Sequence, residues 1–231
     1  LPHPDEFPKD AFQLPWDTAK AKGKGKSKSA DADAAEIVGT FARDHGALVP
    51  DRLVTSAKSW LSNHHVDPRT AVLPWKSQIE EELVSPLHTS TTYLQHLKQA
   101  FLHAEQNGGD GRSLDDGALI LTVPASFDEA ARNLTLDAAK DAGLGDVVLL
   151  EEPQAAFYSW TAQTGSEWRS QVQPGDVILV WDVGGGTADF SLIAISDNEG
   201  NLEVERISVG AVTHSAHCFD VGLDWHGRWG P

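Results

Sequence analysis

The stretch Val177–Ile195 reads VILVWDVGGGTADFSLIAI, and it decides how the rest of the chain is interpreted. Two apolar segments flank a turn that contains Asp182, Gly184–Gly186, Thr187 and Asp189. Three consecutive glycines cost backbone entropy and pack no side chains, so an ordinary buried strand has no use for them. The pattern therefore predicts a turn whose backbone a ligand approaches closely.

The residue types around the glycines suit a phosphate ligand. Exposed backbone amides in such a turn bind phosphate oxygens as an anion nest, and Thr187 adds a hydroxyl donor. Asp182 and Asp189 would repel a bare phosphate, and a Mg²⁺ ion between carboxylate and phosphate resolves that repulsion. A glycine-rich β-hairpin with a bulge is the structural alternative for the same pattern.

A second acidic pair, Glu151 and Glu152, follows an apolar segment and stands immediately before Pro153. If the strands are parallel, these carboxylates lie at the same edge of the sheet as the glycine turn. One of them is then placed to order a metal-bound water or to act as a general base. A solvated strand end is the alternative interpretation.

Strand and helix signals alternate around these sites. The predicted strands are Ala118–Val123, Val147–Leu150, Asp176–Val183 and Ala188–Ile195, and the predicted helices are Thr55–Leu61, Pro86–His103, Ser126–Gly143 and Pro153–Trp160. Ser126 and Glu129 form a capping-box pattern, and Gly143 supplies a helix stop. The apolar run Val177–Val183 predicts a central strand covered on both faces. The alternation predicts an α/β layer fold with a partly parallel sheet.

Composition limits the partners. The 231 residues carry a formal net charge of −16, which argues against a nucleic-acid partner because such a partner requires a basic face. No apolar run reaches the about 20 residues of a membrane-spanning helix, so we expect no membrane partner. The single Cys218 excludes an internal disulfide and favours a reducing, cytoplasmic location.

Three stretches together resemble a known family: LILTVPASFDEAARNLTLDAAKDAGL, VVLLEEPQAAFYSW and VWDVGGGTADFSL. They are similar to the nucleotide-binding domain of the seventy-kilodalton heat-shock, or DnaK-like, chaperones. That family has a strand ending in V-P-A, a helix starting F-x-x-x-x-R, an E-P-x-A-A helix and a D-x-G-G-G-T-x-D phosphate turn, in this order. The wording E-E-P-Q-A-A-F-Y and S-A-K-S-W-L resembles the short, divergent bacterial members.

The resemblance implies an actin-like ATPase (ribonuclease-H-like) fold with two lobes around a nucleotide cleft, and it implies ATP or ADP with Mg²⁺ as cofactors. By this resemblance, Gly184, Gly185, Gly186 and Thr187 contact the phosphates, and Asp182 acts through Mg²⁺ and its waters. Asp189 is the second acid of the turn and a weaker candidate for the metal. Glu152 is expected near the metal and the attacking water. Lys58, in the S-A-K-S-W-L segment, matches the family's catalytic lysine.

The same resemblance organises the chain. Residues 1–34 are expected to be extended with a flexible Lys-rich insert, 35–170 to form lobe I, 171–210 to begin lobe II with its first hairpin, and 211–231 to be a divergent tail. The family's first phosphate loop, D-x-G-T-x-x-S, and its later Gly-Gly-x-x-F-D segment do not appear. The sequence is therefore expected to be an interior fragment with most of lobe I, which binds ATP weakly and does not turn it over alone.

The expected function is an ATP-binding, ATP-hydrolysing chaperone of the stress response, with unfolded polypeptides and co-chaperones as partners. A catalytically silent, nucleotide-dependent interaction module and a metabolite kinase of the same superfold are the alternatives. Retention of Lys58, Glu152 and Asp182 argues against a silent module. The E-E-P-Q-A-A wording favours the chaperone branch over the kinase.

Overall fold

The computed structural model describes residues 13–17, 36–183, 187–198 and 201–213, and these form two compact units. The first comprises Leu1–Ile120 and Glu129–Val148, and the second Leu121–Asp128 and Leu149–Pro231. The Lys-rich insert, Gly184–Gly186 and Cys218 lie outside the described residues. The predicted lobe boundaries remain a prediction.

The first unit is mainly helical. Its helices are α1 (Thr40–Gly46), α2 (Ala57–Trp60), α3 (Pro86–Gln106) and α4 (Glu129–Asp141), with 3-10 turns at Pro50–Arg52 and Glu80–Glu82. Helix α3 begins where its sequence signals place it: Ser85 caps it by accepting a hydrogen bond from the His88 amide at 3.0 Å, and Pro86 occupies the first turn. None of the described helices is both long and apolar enough to cross a bilayer.

Helix α4 packs against α3 through a stripe of small and apolar side chains. The buried positions of α4 are Ala131, Leu134, Thr135, Ala138 and Ala139. The helix ends at the predicted stop, because Gly143 adopts φ 71° and the Leu144 amide donates to the Ala139 carbonyl at 3.0 Å. Its predicted start is wrong: α4 begins at Glu129, so the capping position falls on Asp128 and not on Ser126.

Strands β1 (Leu119–Val123) and β2 (Val147–Glu151) form a two-stranded sheet. Helix α5 (Glu152–Thr164) follows β2 directly, and a 3-10 segment, Gly165–Ser170, follows α5. Within the described residues, the predicted strands and helices of this region are therefore confirmed, with shifts of a few residues at their ends.

The second unit contains an antiparallel sheet of three strands in the order β3 (Val177–Val183), β4 (Thr187–Asn198) and β5 (Asn201–Thr213). The strands β3 and β4 form an antiparallel hairpin. The sequence signals do not predict β5, which continues past Gly210. One prediction is wrong: β3 is an edge strand among the described strands, not a central strand covered on both faces.

Alternation along the strands separates two faces of this sheet. The inner face contains the buried Ile193 and Ile195, and α5 packs against β3 and β4. The outer face of β3 is half-exposed, with Trp181 66% exposed and stacked on Phe190 at 5.7 Å. The apolar side chains of β3 thus alternate between two faces of the sheet, and only the inner face packs against the core.

Candidate functional site

The two aspartates of the glycine turn face each other across the hairpin. Asp182 of β3 is paired with Asp189 of β4, one step before the pair Val183 and Ala188 that closes the described ladder. Directly opposite residues of an antiparallel pair point to the same face, with Cβ atoms about 4.5–5.5 Å apart. The hairpin therefore brings both carboxylates to one side of the sheet at its end.

Burial makes this acid pair unusual. The Asp189 side chain is 1% exposed, and its Oδ1 accepts no hydrogen bond from the described residues, while Asp182 is half-buried. Ser191, two residues along β4 and on the same face, is 0% exposed, and its Oγ also lacks a hydrogen-bond partner among them. Buried polar atoms are normally paired, and like charges directly opposite each other destabilise a sheet. This end of the face is therefore suited to a group that compensates negative charge.

The donor set suits Mg²⁺ bound with a phosphate. Among the described residues, no three His, Cys, Asp or Glu side chains cluster as a metal cage. Mg²⁺ is usually held by one or two carboxylates, with waters and substrate phosphates completing its octahedron. Asp182 and Asp189 supply that number of carboxylates, and the Asp189 oxygen that lacks a partner among the described residues fits a cation. Thr187 is the first residue of β4, next to the glycines of the turn.

Glu151 and Glu152 meet at the junction of β2 and α5. Glu151 ends β2 and is the capping residue of α5, while Glu152 is the first residue of the helix. The Glu151 side chain does not cap the helix; it forms an ion pair with Arg206 of β5. Negative charge in the first turn of a helix is favoured by the helix dipole, so Glu152 stands at a position suited to a carboxylate.

An aromatic cluster anchors the other half of α5. Phe157 and Trp168 are buried, and their rings lie 6.2 Å apart at a steep angle. Trp160 contacts both at 5.8 and 6.3 Å, and the Arg169 guanidinium lies 4.7 Å from the Trp168 ring centroid. Edge-to-face aromatic contacts and buried area hold the helix in one position. Glu152 is thus on a helix fixed at both ends.

Lys58 lies in the first unit, on the short helix α2. The preceding Ser56 has φ 55°, and the buried Ala57 and Leu61 fix the helix on α3. The Lys58 side chain is exposed. The second unit contains the four acidic residues discussed above, whereas Lys58 is placed in the other unit, so within the described structure the lysine and the acids are assigned to separate bodies.

Two polar residues of this region were missed by sequence reasoning. Ser191 is a polar residue in the apolar part of β4, two positions after Asp189. Residues two apart in a strand point to the same face, so this spacing alone would have placed Ser191 beside Asp189. Arg206 had no such signal, because its partner Glu151 is 55 positions away in the sequence. Only the pairing of β5 with β4 brings the cation to the start of α5.

A cavity in the first unit has a different character. It has a volume of about 560 Å³ and lies between α1, the segment 49–55 and α3, and its walls are mainly apolar. Glu36 is at its edge, with its carboxylate 2.7 Å from His88 Nε2 and accepting a hydrogen bond from Thr92 at 2.9 Å. Of the residues predicted for phosphate or metal binding, none that the structure describes lines this cavity.

Comparison with known proteins gives matches that cover most of the chain. The sequence model of the family described as Hsp70 protein matches residues 18–217. The chain is 35% identical over 171 residues to the chaperone protein HscA of Yersinia enterocolitica, which covers 69% of this chain and 25% of the relative. It is 35% identical over 201 residues to the chaperone protein HscA of Photorhabdus laumondii, covering 81% of this chain and 30% of the relative. The chain thus spans between a quarter and a third of the length of these relatives.

Proposed function

Because the chain belongs to the Hsp70 family, we propose that it binds a Mg²⁺-complexed adenine nucleotide at the hairpin of β3 and β4. One observation carries the proposal: the buried Asp189 carboxylate, with an oxygen that has no partner among the described residues, lies directly opposite Asp182. Two acids with one phosphate-type turn between them match the needs of a metal–phosphate ligand better than those of a plain hairpin.

Each residue of the turn has a distinct task in this proposal. The amides of Gly184, Gly185 and Gly186 and the hydroxyl of Thr187 donate to phosphate oxygens. Asp182 and Asp189 hold Mg²⁺ directly or through its waters. When bound, Mg²⁺ neutralises phosphate charge and fixes the terminal phosphate for in-line attack. Each charge-assisted hydrogen bond contributes about 1.5–3 kcal/mol to binding.

For hydrolysis we propose that Glu152 accepts a hydrogen bond from the attacking water and orients it, while the Lys58 ammonium stabilises charge on the terminal phosphate. The protein's contribution is positioning and charge stabilisation, which are the main terms in phosphoryl transfer. Hydrolysis would convert ATP and water into ADP and inorganic phosphate. Lobe I at residues 35–170 and the start of lobe II at 171–210 remain the proposed organisation of this cleft.

At the level of the cell, we propose a chaperone of the cytoplasm that acts in the stress response with unfolded polypeptides and co-chaperones. The relatives are named chaperone protein HscA, and this supports the proposal through family membership. By this family membership, we propose that the protein binds peptides and that the bound nucleotide controls this binding. The actin-like ATPase fold is the architecture that the family implies, and the mixed helices and sheets agree with it.

The proposal is tested by nucleotide titration of the full 231-residue chain, with and without Mg²⁺. We expect binding weaker than micromolar that tightens when Mg²⁺ is present. Asp182→Asn should reduce the Mg²⁺-dependent gain by about 10-fold or more, which corresponds to one charge-assisted contact. Glu205→Gln, which removes an exposed charge on β5, should bind like the unmodified chain. No binding, or equal binding with and without Mg²⁺, would refute the proposal.

A further inference from the structure

We infer that Arg206 is a positioning residue: through its ion pair with Glu151 it fixes the start of α5, and with it Glu152, relative to the sheet that carries Asp182 and Asp189. The inference rests on the proposed function, because it assigns Glu152 a task at the nucleotide. It adds to that function a residue from β5, a strand outside the recognised motifs.

Glu151 stands at the capping position of α5 but points away from the helix. Its backbone, at φ −72° and ψ 138°, is extended, and the next residue begins α5. A capping side chain normally turns back onto the helix amides, but the Glu151 side chain makes no such bond. It is directed to Arg206 instead, and the two side chains are only 12% and 31% exposed. Because the pair is partly buried, salt screens it less than an exposed ion pair.

Arg206 owes its place to an irregularity of β5. The register of β4 and β5 shifts between Leu192 and Ile193, so that Ser208 pairs with Leu192 and Arg206 with Ile193. The extra residue, Ile207, is a β-bulge, and bulges turn a strand and redirect its side chains. Arg206 is thereby opposite Ile193, a buried residue of the inner face. The bulge therefore brings a cation onto the face that holds Ile193 and Asp189.

The ion pair also changes the electrostatics of its neighbours. Glu151 and Glu152 are adjacent, and the same unit holds Asp182 and Asp189. Without Arg206, the partly buried Glu151 would lose its cation and would compete for any cation at the site. With Arg206 present, Glu151 is paired within the protein, and the proposed task at the water and the metal is that of Glu152. Outer partners of metal-linked groups usually change metal affinity by about 10–100-fold when they are removed.

The experiment compares Arg206→Met, Arg206→Lys, Glu151→Gln and the exchanged pair Glu151→Arg with Arg206→Glu, all in the full chain. Glu205→Gln is the matched control, since it removes one charge from β5 next to Arg206 without touching the pair. Two quantities are measured. Amide hydrogen exchange reports the first turn of α5, and titration with ATP, with and without Mg²⁺, reports the gain in affinity due to Mg²⁺.

We expect Arg206→Met and Glu151→Gln to speed exchange at the start of α5 and to lower the Mg²⁺ gain by about 10-fold or more. Arg206→Lys should keep part of both, because it keeps the charge but not the planar guanidinium. The exchanged pair should recover part of the slow exchange and part of the Mg²⁺ gain, because it restores an ion pair between the same two positions. In an otherwise Glu152→Gln chain, Arg206→Met should lower the gain no further, because its effect passes through Glu152.

Other outcomes would overturn the inference. Unchanged exchange in Arg206→Met would do so whether or not nucleotide binds. Faster exchange with an unchanged Mg²⁺ gain would make the pair merely structural. An unmodified chain that binds no nucleotide would refute the proposed function, and this inference with it. Failure of the proposed function is distinguishable from failure of the inference alone, because the unmodified chain by itself shows whether nucleotide binds.

Discussion

The substitution Asp189→Asn distinguishes two effects of the acid pair: repulsion between the carboxylates, which destabilises the fold, and binding of Mg²⁺, which stabilises it. Asp189 is 1% exposed and stands directly opposite Asp182 on the same face of the hairpin. Asn keeps the shape of the side chain and removes its charge. Without Mg²⁺, we expect the substitution to stabilise the protein, because it removes repulsion between two carboxylates. With Mg²⁺ or Mg·ATP, it should remove stabilisation, because a ligand of the cation is lost.

The register of the hairpin sets the magnitude of this repulsion. Side chains opposite each other have Cβ atoms about 4.5–5.5 Å apart. Two unit charges at about 5.5 Å in an effective dielectric constant of about 20 repel each other by about 3 kcal/mol. Asp182 is half-buried, so solvent screens part of this repulsion, and the buried Asn amide must find a partner. We expect a net gain of about 1–2 kcal/mol in the free energy of unfolding without Mg²⁺.

The assay is urea unfolding of the unmodified chain and of Asp189→Asn, in EDTA and in Mg²⁺ with ATP. Asp197→Asn is the matched control, since it removes the same charge from an exposed position of the same strand, opposite Leu202 rather than an acid. A loss of stability in EDTA that equals or exceeds the change in the control would refute the repulsion argument. Stabilisation by Mg²⁺ and ATP that is equal in both proteins would remove Asp189 from the cation site.

Three further predictions concern the scaffold. Phe157→Ala should lower the free energy of unfolding by about 3–5 kcal/mol, because it empties the centre of the aromatic cluster; Tyr158→Ala, at 56% exposure, is the control, and similar losses would contradict the cluster's role. Burial, assisted by the Glu36 carboxylate, raises the pKa of Tyr93. The stability it contributes is present below about pH 10 and is lost as pH rises through the raised pKa, so Tyr93→Phe should show a shallower alkaline loss in urea unfolding. Gly143→Ala should cost about 1–2 kcal/mol in thermal unfolding, because φ is 71° there, and an unchanged melting temperature would contradict this.

The parts of the fold that the sequence predicts correctly are those encoded locally. The stop of α4 needs only Gly143, whose positive φ lets the last amides turn back onto the helix. The start of α5 needs only Pro153, which suits a first helical turn. The start of α4 shows where such signals fail: Ser126 and Glu129 fit a capping box, yet Asp128 takes the capping position, since the helix begins only at Glu129.

The strands are harder to predict because the burial of their side chains depends on partners that are far away in the sequence. β5 mixes Glu203, Glu205 and Arg206 with apolar residues, and the bulge next to Leu192 breaks its alternation, so no period of two survives. β3 is the opposite case. Its apolar run, interrupted only by Asp182, predicts burial on both faces, yet Trp181 and its outward neighbours are half-exposed among the described residues.

The candidate site shows the same division between what is local and what is not. Asp182, Thr187 and Asp189 are close in sequence, and a hairpin is enough to set the two acids against each other, so sequence reasoning can reach their relation. The pair of Glu151 with Arg206 is out of its reach, because β2 and β5 belong to different sheets and the two residues are 55 positions apart in the sequence. A sequence motif therefore identifies the residues expected to contact the ligand. The residues that position them are determined by the pairing register of the strands, which the motif does not contain. A single slip at the bulge would place Arg206 on the other face and leave Glu151 without its cation.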